Sequence, residues 1–469
     1  MKFIQRFFLL SLFFLPLEVS ASGSLVEGSL IRDAEIEDVL RSYIEPIFKV
    51  AGLEPDSLTL YVINSREVNA FAMGGGRIGV HTALLLRANS ALQVIGVFAH
   101  ETAHLAGNHI ARGVDDYEKT LLKGLIGVLG GIAIGAVNPE AGAAVMMGAQ
   151  DMAMRGFLKF RRDQEGAADQ GAARYLDKLK WSSRGMFEFM KILHKDTFYA
   201  RQDLDPYLIT HPFTDERLDF FQSHLSLSPY AEGSLPQNFE SNFKRIQVKI
   251  AAFTEPPGKT LARYKPSDNS LLARYGRSIA YLQNSQNEEA LKEVDSLLHD
   301  YPEDAFFWDL KGQILFEAGK IREASSAYEK SVQFRPDIPL LRINWAHALT
   351  ESEDKALLEK AYHELMRAKA EEQDNPFTYR LLAIYYGKTG KTGLAALSLA
   401  EMSYHVGEFD KAEEQAERSL KLLKEDKQNT IRAKEIIEEV KRLKEDGWRK
   451  EGAQLHLSPA WERSTRSGG

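Results

Sequence analysis

Two histidines and a glutamate, His100, Glu101 and His104 in His-Glu-Thr-Ala-His, carry the clearest chemistry in the chain. On a helix, residues four apart share a face, so His100 and His104 can offer two imidazole nitrogens to one metal ion while Glu101 stands beside them. That pattern suits hydrolysis by metal-activated water with a carboxylate base. The bland alternative is a helix with two ordinary histidines. Against it, Ile95, Phe98 and Leu105 recur at helical spacing, and Ala91 to His104 holds one charged residue, Glu101. A carboxylate in an apolar helix is costly unless paired or used.

A catalytic zinc needs a third protein ligand, and the chain has no cysteine, which leaves histidine and carboxylate. A histidine close behind the motif would have to stand at position 110, which is Ile; His109 falls one residue short and about 100° away around the helix. Asp115 and Asp116 read as loop charges. In Arg161-Arg-Asp-Gln-Glu-Gly-Ala-Ala-Asp169, Glu165 and Asp169 are four apart and share a helical face, and Gly166, Ala167 and Ala168 would let another helix approach. Glu165 is the candidate third ligand, and Asp169 the candidate partner for the far nitrogen of a ligating histidine. His211 and Arg217, in His-Pro-Phe-Thr-Asp-Glu-Arg, are candidate donors to a developing oxyanion; Arg217 either orients substrate or forms an ion pair.

The elements around these residues read as α+β. Leu30 to Val50 has helical periodicity, Ser57 to Asn64 alternates like a strand, and Arg77 to His81 is a second extended segment after the turn Gly74-Gly75-Gly76. An edge strand can bind an extended substrate backbone, and Arg77, Ile78, Gly79 and Val80 are the candidate for it, an interior strand being the alternative. Leu121 to Met154 is apolar and broken at Asn138-Pro139-Glu140, each half too short to span a bilayer. It reads as two helices packing over the site, with peripheral membrane contact or a partner as the alternative.

The N-terminus has a basic start, an apolar stretch from Phe7 to Leu17 and Val19-Ser20-Ala21, which reads as a signal peptide (1–21) cut after Ala21, with an uncleaved anchor as the alternative. Export and the absence of cysteine point to the periplasm. The formal charge of −7 gives no footprint for nucleic acid. The expected layout is a mainly helical zincin-like domain with a small sheet over 22–254, a linker over 255–269, helical repeats over 270–445 and a polar tail over 446–469. The repeats show a 34-residue period: Tyr281, Ala290 and Pro302 return as Leu315, Ala324 and Pro336, with Trp308 and Gly312 placed as in a tetratricopeptide repeat. Tyr379, Ala383, Tyr386 and Ala395 repeat that spacing, the unit around Trp345 to Ala368 is irregular, and Phe409 to Val440 would close the array. Such an all-α solenoid presents a surface for peptides or partner proteins.

With Asn69-Ala-Phe-Ala72, the His100–His104, Arg161–Asp169 and His211–Arg217 motifs resemble, in order, those of the HtpX-like zinc metallopeptidases related to CAAX-prenyl proteases. The resemblance implies that His100, His104 and Glu165 hold one Zn2+, that Glu101 is the general base, and that His211 can take the fourth zinc position and restrain activity. An exported peptidase with a repeat array also resembles the periplasmic family of β-barrel assembly-enhancing proteases. That implies unfolded or stalled outer-membrane proteins as substrates and the β-barrel assembly machinery as partner. The competing expectation is a chaperone or assembly adaptor whose peptidase site is latent; an integral-membrane prenyl-protein peptidase lacks the necessary spans.

Overall fold

The structure, a computed structural model, describes residues 27–108, 162–199, 211 and 214–445. Residues 1–21, read above as a signal peptide, the apolar stretch 121–154, His109, Asp115, Asp116, Arg161, Pro212 and the tail 446–469 lie outside them. The chain divides between Ile250 and Ala251 into two units.

The first unit builds a four-stranded sheet and packs helices on it. Helix α1 (Ala34–Ala51) starts where Asp33 accepts hydrogen bonds from the amides of Glu35 and Ile36, and ends at Gly52 with φ of 81°. A left-handed cap of this kind is cheapest for glycine. The start at Ala34, later than hydropathy suggests, follows from that cap and from a two-residue strand before it, β1 (Leu30–Ile31). Strands β2 (Thr59–Ile63), β3 (Ala70–Met73) and β4 (Arg77–His81) complete the sheet in the order β1-β2-β4-β3. Leu60 and Val62 of β2, Ile78 and Val80 of β4 and Ala70 of β3 supply its buried face.

Here one expectation is corrected. Arg77, Ile78, Gly79 and Val80 do not form an edge: β4 pairs in parallel with β2 on one side and antiparallel with β3 on the other. The cause is the glycine turn. Gly75 and Gly76 adopt φ of 80° and 77°, and at Gly76 a Cβ would lie 2.5 Å from the Ser57 carbonyl oxygen, so the chain reverses in a space only glycine fits. That reversal lays Ala70–Met73 along β4, and β3 takes the edge position among the described residues.

Helix α2 (Thr82–Arg87) leads into α3 (Ala91–Ala106), the helix that carries His100, Glu101 and His104 and is buried over most of its length. Two close approaches fix it. A Cβ on Gly185, in the Arg184–Tyr199 helix, would sit 2.1 Å from the Leu92 carbonyl oxygen, and one on Gly96 would meet the Met186 backbone at 2.7 Å. On another face, Gly171 of the helix through residues 162–178 packs directly on Ala103. Among the described residues nothing packs on Gly166, where a Cβ meets nothing within 4 Å, and Ala167 is exposed. The approach runs instead along Glu165, Ala168, Ala172 and Leu176, one face of that helix, all buried.

The second unit is a run of paired helices. The pairs are Leu271–Gln283 with Asn287–Asp300, Ala305–Glu317 with Ile321–Phe334, Pro339–Thr350 with Lys355–Glu371, and Pro376–Lys388 with Thr392–His405; Phe409–Leu422 and Lys427–Glu445 follow. Left-handed residues close the turns within pairs at Ser285, Gly319 and Gly390, the first two 34 residues apart. The irregular third unit has its origin in its second helix, 17 residues long where the preceding one has 14. Gly312 faces the Tyr328 ring, where a Cβ would come within 2.6 Å, the small-against-large fit that the repeat pattern implies. The stretch read as a linker contains a helix, Pro257–Arg263, started by Pro257 and seated by buried Thr260. No helix among the described residues is long and apolar enough to cross a membrane.

The Gly171–Ala103 approach sets the spacing between α3 and the helix bearing Glu165. Gly171→Val should cost about 1–3 kcal/mol by overpacking. Thermal unfolding together with metal retention after gel filtration checks this, and an unchanged Tm with full metal retention would show that the two helices are free to part.

Candidate metal centre

Three elements bring the site together. Helix α3 presents His100, Glu101 and His104, the 162–178 helix presents Glu165 and Asp169, and the Asp215–Leu227 helix presents Arg217, with His211 ahead of it in the chain. All seven side chains are buried. His100, His104, Glu165 and His211 each offer one ligand atom, and the four atoms lie within 4.8 Å of one another.

The finer spacing is informative. His100 Nε2 lies 3.1 Å from His104 Nε2, 3.3 Å from His211 Nδ1 and 3.3 Å from Glu165 Oε2. Glu165 Oε1 lies 3.4 Å from His104 Nε2 and 3.2 Å from His211 Nδ1. A tetrahedral zinc site with bonds of about 2.0–2.1 Å has ligand-to-ligand edges of about 3.3–3.4 Å. These separations of 3.1–3.4 Å are close to tetrahedron edges, and the donor set of nitrogen and oxygen suits zinc. Ring nitrogens packed this closely turn lone pairs on one another, a repulsion that a shared cation or proton relieves. The residues fit a metal ion.

Behind the donors stands a clamp of charge. His100 Nδ1 lies 2.9 Å from Asp169 Oδ1, the far-nitrogen contact expected from the sequence. Arg217 approaches Asp169 through Nε at 2.6 Å and Nη2 at 2.8 Å, and Glu165 Oε2 through Nη1 at 2.9 Å. This corrects the catalytic assignment of Arg217. Its planar fork is committed to two carboxylates, so it is a positioning residue and not an oxyanion donor.

These contacts set the protonation states. Burial lowers the pKa of His104 to about 3, which leaves its ring neutral and ready to ligate. Burial also acts to lower that of His100, but Asp169 and Glu165 outweigh it and raise the pKa to about 9. Burial opposes charge on Asp169, yet Arg217 and His100 hold the carboxyl below its usual range. For Glu165 the three histidines likewise overcome burial and pull it far down. Of the three carboxylates in the site only Glu101 moves upward: burial dominates, and the His211 and His100 rings and the backbone amide of Ala72 only partly offset it. Its two oxygens are fully shielded from solvent.

Two features escaped the sequence. Ala72, on edge strand β3, brings a backbone amide to Glu101, whereas the expected edge residues Arg77 to Val80 lie one strand further in. The tight Gly74–Gly76 turn was the signal that Ala70–Met73 is a strand. His211 also faces two ways, with Nδ1 on the donors and Nε2 3.4 Å from Glu101 Oε1.

A buried helix bearing such a constellation, set against a small sheet, defines a metallopeptidase-type domain. In agreement with this, residues 31–224 match the family model described as Peptidase family M48. Residues 294–413 match the cytochrome c-type biogenesis protein H TPR domain. Among curated relatives, the beta-barrel assembly-enhancing protease of Yersinia pestis is 25% identical over 65% of this chain and 63% of its own. That of Escherichia coli (strain K12) is 24% identical over 68% and 66%, and a putative one of Vibrio cholerae 26% identical over 63% and 66%. The chain spans a little under two thirds of the length of these relatives.

The raised pKa of His100 makes metal uptake compete with a proton. Below about 9 its Nε2 is protonated and must be vacated, so affinity for Zn2+ should fall about tenfold per pH unit from 9 toward 6.5. Chelator competition across that range measures the slope, and a flat profile would contradict it. Arg217→Lys, which loses the fork, should weaken zinc binding about 10- to 100-fold in the same assay.

Proposed function

We propose that this protein is a zinc-dependent endopeptidase of the periplasm, exported by residues 1–21, that acts in the quality control and assembly of outer-membrane proteins. The observation that carries the reading is the convergence of His100, His104 and Glu165 beside the buried carboxylate of Glu101, inside an M48 domain. The substrate class comes from the relatives' names, and the repeat unit supplies a surface for substrate or for the β-barrel assembly machinery.

Zinc bound by these three side chains would supply Lewis acidity, which acidifies water and polarises a carbonyl. Every other task falls to the chain. Glu101, with its pKa raised by burial, accepts the proton of the attacking water on a carboxylate oxygen and delivers it to the leaving amine. Asp169 keeps the His100 proton on Nδ1, so that Nε2 faces the donor cluster. Edge strand β3, whose Ala72 amide lies at Glu101, holds the substrate backbone extended beside the base.

His211 makes this a gated site. Its Nδ1 completes a four-donor set, which belongs to closed, structural zinc sites, while its Nε2 covers Glu101. The ring must leave for turnover. The same closure favours a second reading, a chaperone or assembly adaptor in which the repeats act and the peptidase site stays latent.

Cleavage of an unfolded outer-membrane β-barrel protein by the zinc-loaded chain separates the two. Glu101→Gln should keep zinc and lose about 10²–10⁴-fold in rate, and His211→Ala should cleave faster than the unmodified chain. If none of the three cleaves while each keeps the substrate soluble, the adaptor reading stands and the peptidase reading falls.

A further inference from the structure

Edge strand β3 shows its two faces differently. Ala70 faces the core with Ile78 and Val80, and Ala72 stands on that same face. Phe71 and Met73 point to the other side and are half-buried. Phe71 is directly opposite Gly79 in the register, and its ring is folded over that glycine: a Cβ at position 79 would strike the ring at 2.4–2.9 Å. His81 closes the ring's side edge-on, with centroids 6.0 Å apart and planes at 88°. The His81 ring is itself fixed, since Nδ1 lies 3.1 Å from the Glu67 carbonyl oxygen, which can only accept.

A strand added to the outer edge of β3 would place every second side chain on this outer face, next to Phe71, while the intervening ones lie beside Ala70 and Ala72. Because the Phe71 ring leans back over β4, it leaves its apolar body as a floor beside the edge and does not block it. We propose that Phe71, seated on Gly79 and braced by His81, is a specificity-determining residue: it selects extended substrate segments carrying an apolar side chain at one fixed position near the cleaved bond. The inference rests on the peptidase reading above and narrows its substrate class to alternating apolar and polar strands. Strands of outer-membrane barrels have that alternation. The structural alternative is that the ring only covers the glycine, as aromatic residues do where a strand lacks a side chain.

Two readouts decide. Zinc-loaded full-length chain is given a peptide library varied around the cleaved bond, using the unmodified chain, Phe71→Ala and Phe71→Leu. A preference for Leu or Phe over Asp at one position should drop about tenfold in Phe71→Ala and return in Phe71→Leu. In parallel, binding of an alternating Leu/Thr peptide and of its scrambled isomer is measured by fluorescence anisotropy on Glu101→Gln and on the double variant with Phe71→Ala. Binding should favour the alternating peptide about tenfold in the first and lose that margin in the second. An unchanged preference in cleavage, or equal binding of the two peptides by Glu101→Gln, overturns the proposal. Selective binding without cleavage by any variant keeps this subsite and removes the peptidase reading instead.

Discussion

Everything in the first unit serves one electrostatic requirement: three imidazoles and a carboxylate must face each other within about the edge of a tetrahedron, out of water. Left alone, such a cluster would spread apart or flood. It holds because Arg217 and Asp169 stand behind it, one neutralising Glu165 and the other anchoring the far nitrogen of His100. Burial strengthens each of these contacts and also raises the cost of breaking any one of them. The helices are spaced to suit, with Gly171 against Ala103 and Gly96 against Met186, so that side-chain atoms meet at 3.1–3.4 Å without strain on the backbone.

Much of this was legible in the sequence, for a physical reason. Helical spacing is a local property, so His100 and His104, or Glu165 and Asp169, announce a shared face before any fold is known. The 34-residue period is legible because each pair of helices repeats the same packing, from Ala290 to Ala324. Sheet order is different. Arg77 to Val80 has the alternation of a strand whether it lies inside or at an edge, and only the partner on its far side decides. That partner, Ala70–Met73, is only four residues long, and the edge position passed to it through three glycines. Arg217 shows the same limit: the motif states that an arginine is present, while its direction depends on carboxylates 48 and more residues away.

The repeat unit rests on a simpler device. Small residues at Gly312, Ala290 and Ala324 let helices approach, and left-handed residues at Ser285, Gly319 and Gly390 turn the chain within pairs. Where one helix gains three residues the period slips, yet pairing survives, because each pair buries its own apolar face. Chemistry is concentrated in one unit and surface in the other.

The charge of the centre has one more consequence. With its proton on, His100 brings one positive charge and Arg217 another, against the two negative charges of Glu165 and Asp169. Among these four groups the charges balance, and Glu101 beside them is pushed by burial toward its neutral form. Small zinc modules collapse when stripped because nothing replaces the lost cation. Here the Arg217 guanidinium is a fixed positive charge behind the donors, held on Asp169 and Glu165 whatever fills the site.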